Sequence, residues 1–191
     1  MKIGILALQG DFELHSKALA RLSVEVQLVR KPDQLTQCSG LIIPGGESTT
    51  FIRLLKAVSL YQAIRDFARE RPVFGTCAGL IVLAKRVTNY PLETLGLIDI
   101  SVERNAYGRQ IDSFIDRVRI QLNGTSLETE GVFIRAPKIV ELGPGVRPLG
   151  WHGEDVVMAE EGHILVATFH PELTEEAAIH RYFVEKARHS G

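Results

Sequence analysis

Cysteine is scarce in this chain: Cys38 and Cys77 are the only two in 191 residues, and they form no C-x-x-C pair. That excludes a disulfide scaffold and fits a reducing compartment. The six histidines, at 15, 152, 163, 170, 180 and 189, never stand four apart as a zinc-binding helical pair does, so no metal is expected. Charge of one sign is missing too. A net charge of -1 leaves neither a nucleic-acid footprint nor a polybasic membrane patch. Long apolar runs are absent: Ile3 to Leu8 is interrupted by Gln9-Gly10-Asp11, too short for a signal-peptide core or a membrane span. A cytoplasmic protein is expected. No repeat, low-complexity tract or linker divides residues 1–191, which read as a single domain. What is present is ordinary globular material, 45% hydrophobic and 24% charged.

The apolar residues are arranged in a telling way. Ile3 to Leu8, Val24 to Val29, Gly40 to Ile43 and the run at Val73 read as short strands, the first buried on both faces. Helical patterns alternate with them: Phe12 to Leu19 with Asp11 as cap, a stretch with Phe51, Leu54, Leu55 and Val58 on one face, and Tyr61 to Arg69. Such alternation implies right-handed crossovers and an open, mostly parallel sheet with helices on both faces. Beyond Lys85 the pattern becomes a series of strands: Leu97 to Arg104, Ser113 to Leu122, Val132 to Arg135, Ile139 to Leu142, Arg147 to Trp151, Asp155 to Ala159 and Ile164 to Phe169. Asn123-Gly124, Gly143-Pro144-Gly145 and Glu161-Gly162 suit antiparallel hairpins. A final helix is expected from Thr174, as its cap, to about Arg188. The fold class is α/β, with a doubly wound core and an antiparallel extension. In such sheets the ligand crevice lies at the carboxyl ends of the strands, where Gln9 to Asp11, Pro44 to Ser48 and Thr76 to Gly79 form three unusual loops.

Gly75-Thr76-Cys77-Ala78-Gly79 sits between a strand and an apolar helical run, a thiol where the nucleophile-elbow pattern has a serine. Its turn is so tight that residues two positions away must lack a Cβ. Unpaired N–H groups at the start of the following helix favour thiolate over thiol, and the Ala78 N–H is placed to receive an oxyanion. A thiol acting on an amide needs a base and something to orient it. Phe169-His170-Pro171-Glu172 offers both, with Pro171 keeping His170 extended. Pro44-Gly45-Gly46 fits a second oxyanion loop or a strand-ending turn equally well. Glu47 and Ser48 suit a polar substrate or a helix cap. Arg104 and Arg135 suit a carboxylate or the open surface. Cys38 reads as packing, and the histidines other than His170 as structural.

GTCAG at 75–79 with FHPE at 169–172 resembles the class I (triad) glutamine amidotransferases. ALQGDF at 7–12, PGGEST at 44–49, VERNAYGRQ at 102–110, FIRAP at 133–137 and FHPEL at 169–173 are similar to the PdxT family of pyridoxal 5′-phosphate synthase glutaminases, with Tyr107 where that family is expected to carry Phe. The resemblance implies a flavodoxin-like α/β fold and a triad of Cys77, His170 and Glu172. It implies that Gly46, Glu47, Ser48, Arg104, Ile134 and Arg135 contact L-glutamine, and that the N–H groups of Gly46 and Ala78 form the oxyanion hole. It further implies hydrolysis of glutamine with no cofactor, and a PdxS synthase partner in a large hetero-oligomer, one glutaminase per synthase subunit. The contact face expected for that partner is the Gln9-Gly10-Asp11 loop and the crevice rim. A PfpI-like cysteine hydrolase and a non-catalytic binding subunit are the competing readings. The His-x-Glu pair disfavours the first, and intact Cys77, His170 and Glu172 disfavour the second.

Overall fold

A computed structural model describes residues 1–106 and 113–189. In chain order the elements are β1 (Lys2–Leu6), α1 (Phe12–Arg21), β2 (Glu25–Val29), β3 (Gly40–Ile43), α2 (Ser48–Ala57), α3 (Leu60–Phe67), β4 (Val73–Thr76) and α4 (Ala78–Leu83). There follow β5 (Ala84–Val87), β6 (Ile98–Glu103), β7 (Ser113–Leu122), β8 (Thr125–Ile134), β9 (Lys138–Leu142), β10 (Arg147–His152), β11 (Asp155–Glu161), β12 (Ile164–Ala167) and α5 (Ala178–His189). Nine strands form one sheet in the order β2-β1-β3-β4-β12-β11-β10-β7-β8. The first five are parallel, and from β12 onward each neighbouring pair is antiparallel. β5, β6 and β9 make a small second sheet.

Strand periodicity explains why both faces of the parallel half are covered. Leu41, Ile43 and Val73 point to one side, where they pack with Phe51 and Leu55 of α2, Ile64 of α3 and the apolar side chains of α4. Ile3, Ile5, Ile42 and Phe74 point to the other, against Leu19 of α1 and Ile179 and Phe183 of α5. A fully buried side chain of this size contributes about 1.5–3 kcal/mol relative to exposure. The antiparallel half closes with tight turns. Asn123 (φ 50°) and Gly124 (φ 79°) join β7 to β8 with two left-handed residues, the geometry that matches strand twist.

Several expectations change. Asp11 precedes α1 but its side chain makes no capping bond. Gly143 to Gly145 is not a hairpin, because β9 belongs to the small sheet and β10 to the large one. Thr174 does not cap the last helix. Pro171–Leu173 forms a 3-10 turn and leaves Thr174 extended (φ −110°, ψ 163°), so α5 starts at Ala178, whose N–H donates to Glu176 Oε1 at 2.8 Å. The strand expected from Val132 begins seven residues earlier, and β5 was not foreseen.

Candidate active site

β4 and β12 are parallel neighbours with Thr76 opposite Ala167, so the residues that follow each strand emerge at the same sheet edge. Cys77 comes next after β4, and its N–H continues the ladder by donating to the Ala167 carbonyl at 2.9 Å. Its backbone is strained (φ 49°, ψ −107°), a conformation costing on the order of 1–3 kcal/mol that surrounding structure must hold. The flanking glycines are needed for a steric reason. A Cβ on Gly79 would lie 2.0 Å from the Ile43 carbonyl oxygen, and one on Gly75 would lie 2.7 Å from the Gly79 carbonyl carbon.

Beyond β12, His170 anchors its N–H to the Val132 carbonyl at 2.9 Å, and the 3-10 turn folds Glu172 inward. Glu172 Oε1 then lies 2.7 Å from His170 Nδ1, with both residues buried. Burial works against the imidazolium, but Cys77 and Glu172 outweigh it and raise the His170 pKa to about 10. Among the described residues His170 Nε2 makes no well-formed hydrogen bond, and the Cys77 thiol lies 3.6 Å from the Ile134 carbonyl, to which it can donate. In resting sites such catalytic contacts are often loose and tighten with substrate.

The Pro44–Ser48 loop lies over this pair. A Cβ on Gly45 would sit 2.5 Å from His170 Cε1, so only glycine lets the loop pass the ring. Gln9 stitches the neighbouring loop to it: Gln9 Nε2 donates to the Glu47 carbonyl at 2.9 Å, and the Glu47 N–H donates to Gln9 Oε1 at 3.3 Å. Glu47 caps α2, accepting from Thr49 N at 3.0 Å and Thr50 N at 2.7 Å, with Arg104 Nη2 3.1 Å away. Burial disfavours this carboxylate, yet the Thr49 and Thr50 bonds bring its pKa down to about 2. Arg104 also lies over the Tyr90 ring, 4.5 Å from its centroid.

A cavity of about 290 Å³ opens between these loops. Gly46, Glu47, Ser48, Arg104, Ile134 and Arg135 all line it, as do Cys77, Ala78 and His170. Glu172 stands behind His170 rather than on the wall. The Ser48 hydroxyl is buried without a hydrogen-bond partner among the described residues. Arg135 holds a left-handed backbone (φ 44°) at the rim, a conformation unusual for a long side chain. Asp11, Ile81 and Asn105 also line the cavity and were not singled out as substrate contacts, although Asp11 falls in the ALQGDF block and Asn105 in VERNAYGRQ. Tyr107, and with it the end of the VERNAYGRQ block, lies outside the described residues.

A second group was read as structural and lies directly behind the site. His15 of α1 places Nε2 3.4 Å from Glu172 Oε2 and 3.1 Å from Thr76 Oγ1, and its Nδ1 lies 3.0 Å from His180 Nε2 on α5. Asp11, His170 and Glu172 offer ligand atoms within 4.8 Å of one another. A cation there would compete with the 2.7 Å His170–Glu172 bond, so these residues are assigned no metal.

The sequence model of the SNO glutamine amidotransferase family matches residues 5–189. The chain belongs to that family. Proteins called pyridoxal 5′-phosphate synthase subunit PdxT are similar over their whole length: the one from Thermosipho africanus is 49% identical, covering 98% of this chain and 100% of its own. That from Thermotoga petrophila is 51% identical with the same coverage. A crystal structure described as a glutamine amidotransferase superposes with a TM-score of 0.92 at 44% identity, covering 97% of this chain and 98% of its own. A more distant glutamine amidotransferase from Thermotoga maritima, at 14% identity and TM-score 0.64 over 98% of this chain and 82% of its own, shares the fold. The SNO family member described here is therefore a glutamine-hydrolysing enzyme with the mixed α/β amidotransferase fold. No helix among the described residues is long and apolar enough to cross a membrane.

Proposed function

We propose that this chain is the glutaminase subunit of a cytoplasmic pyridoxal 5′-phosphate synthase, one glutamine amidotransferase domain over residues 1–191, which hydrolyses L-glutamine and hands the ammonia to a PdxS synthase partner. The observation that carries the reading is one cavity lined by Cys77 and His170, with Glu172 bonded to the far side of the imidazole. The names of relatives about half identical over their full length support the pathway.

In this mechanism the Cys77 thiolate attacks the carboxamide carbon. The resulting oxyanion is received by the Gly46 and Ala78 N–H groups, each able to supply about 3–4 kcal/mol. His170, protonated at neutral pH and steadied by Glu172, gives a proton to the departing nitrogen as the C–N bond breaks. Ammonia leaves, and a γ-glutamyl thioester remains on Cys77. His170 then takes a proton from water as that water attacks, the thiolate is expelled, and glutamate is released. Gly46, Glu47, Ser48, Arg104, Ile134 and Arg135 are assigned to glutamine, the unpartnered Ser48 hydroxyl being ready to take up a polar group.

Free ammonia would largely become non-nucleophilic ammonium in water, which favours direct delivery to a partner. One glutaminase per synthase subunit, docked through the Gln9–Asp11 loop and crevice rim, is the arrangement proposed. Glutamate release from glutamine, measured with and without the synthase, tests this. Release that rises with synthase is expected. No release under either condition removes the function and leaves a PfpI-like hydrolase as the better reading.

A further inference from the structure

Glu172 uses one oxygen on His170, yet a buried carboxylate has two to satisfy, and the second is the opening for this inference. Among the described residues Oε2 has no hydrogen bond of good geometry. His15 Nε2 lies 3.4 Å from it, with both side chains wholly buried. We infer that His15 is a positioning residue of the triad: its neutral ring, held from behind by His180, presents Nε2–H to the second oxygen of Glu172 and keeps that carboxylate turned toward His170. The inference rests on the function proposed above.

The tautomer follows from counting donors and acceptors. His15 Nδ1 and His180 Nε2 are 3.0 Å apart, so one donates and the other accepts. His180 Nδ1 is buried without a hydrogen-bond partner among the described residues. If His15 donated, that Nδ1 would carry a buried N–H with nothing to receive it, and His15 Nε2 would set a lone pair against the carboxylate. If His180 donates, its Nδ1 holds only a lone pair, and His15 Nε2 carries a proton facing both Glu172 Oε2 and Thr76 Oγ1. The second arrangement leaves the fewer unsatisfied donors.

Burial favours the neutral form of both rings near pH 7. It lowers His15, with His170 acting in the same direction and Glu172 and Asp11 against it. It takes His180 down to about 3, helped by His15 and Arg21 and opposed by Glu172. The other groups packed on His15 are the Thr76 hydroxyl of β4 and the Phe74 ring, whose centroid is 6.5 Å away. For Glu172, burial works against ionisation, and His15 and then His170 hold it below the usual carboxylate range. Packing alone explains a ring between α1, β4 and α5. It does not explain a ring nitrogen placed 3.4 Å from the carboxylate that steadies the base.

The test compares wild type, His15→Phe and His15→Gln, each assembled with the synthase. Phe keeps the ring volume without a donor, whereas the Gln amide nitrogen reaches the region of Nε2. The expected result for His15→Phe is a kcat for glutamate release roughly 10–100-fold lower, the range for loss of a group that orients another group. KM should change little, ammonia-dependent product formation should persist, and the acid limb of the pH profile should move to higher pH because Glu172 protonates more readily. His15→Gln should recover most of the rate and the wild-type limb. An unmoved acid limb in His15→Phe, or His15→Gln as impaired as His15→Phe, overturns the inference. Should His15→Phe not fold, ¹⁵N NMR of the wild-type chain decides. A neutral Nε2–H ring supports the assignment, and an Nδ1–H ring or an imidazolium near pH 7 refutes it. Absence of glutamate release by wild type with synthase would instead sink the proposed reaction, and the NMR result would still judge the hydrogen-bond arrangement.

Discussion

At opposite ends of β12 the protein buries a glutamate, and the two surroundings differ in how completely they satisfy it. Glu160, in register with Leu165, takes Arg147 Nε at 3.1 Å with a second bond from Arg147 Nη2, the Tyr182 hydroxyl at 2.7 Å and Lys186 Nζ at 3.0 Å. Among the described residues Glu172 has one side-chain hydrogen bond, to His170 at 2.7 Å, with its own backbone N–H contributing and His15 lying 3.4 Å away. Burial opposes ionisation of both, and their partners still hold both below the ordinary carboxylate range. A carboxylate with several donors fixes α5 to the sheet and has no capacity left for chemistry. One with a single firm side-chain partner transmits its charge to that partner. Stability should reside at the first end and turnover at the second.

Replacing Cys77 with Ala provides the baseline. Glutamine-dependent product formation in the assembled synthase should fall at least about 10³-fold, as expected for loss of a nucleophile, while ammonia-dependent formation persists. Equal loss of both would show that the catalytic end is needed for assembly too, and the contrast would break. Glu172→Gln keeps the shape and removes the charge. The expected outcome in steady-state kinetics is a kcat lower by roughly 10²–10⁴-fold, with little change in the urea midpoint. Glu160→Gln should reverse the pattern, leaving kcat as in wild type and lowering unfolding free energy by about 1–3 kcal/mol.

That last variant also carries a pH signature. The folded-state pKa of Glu160 lies below that of the unfolded chain, so between the two values the unfolded chain binds more protons. The contribution of Glu160 is therefore present above the unfolded value of about 4.3 and lost as pH falls through the folded one. Urea titrations of Glu160→Gln across that acid range should show a flatter slope than wild type. The smallest effect is expected at the rim. Arg135→Ala should raise KM for glutamine about tenfold, the size of one charge-assisted contact, with kcat nearly unchanged. An unchanged KM would take Arg135 out of the glutamine site.

Much of this was legible because the physics is local. Ile3, Ile5, Leu41 to Ile43 and Val73-Phe74 announce strands covered on both sides, and the structure buries them all. Gly75 and Gly79 announce an elbow by the missing Cβ atoms, and the step from His170 to Glu172 survives as a side-chain bond. What was missed depends on partners distant in the chain or on exposure. The Thr125–Glu130 half of β8 has one apolar residue, the half-buried Leu127, and so shows no apolar period, and β5 is four residues with Lys85 and Arg86 exposed. Thr174 has the chemistry of a cap, but Pro171 opens a separate turn first. His15 and His180 are 165 positions apart, so no spacing rule connects either of them to Glu172.

The sheet order has a consequence for how this architecture can diversify. β4 and β12 lie side by side although residues 84–163 come between them in the chain. Topologically, that whole stretch is an insert spliced between a nucleophile and its base. Evolution can lengthen or refit its outer parts to a different recipient while β4 and β12 keep the sulfur and the imidazole on neighbouring strands, provided the Val132 and Ile134 carbonyls that meet His170 and Cys77 stay in place.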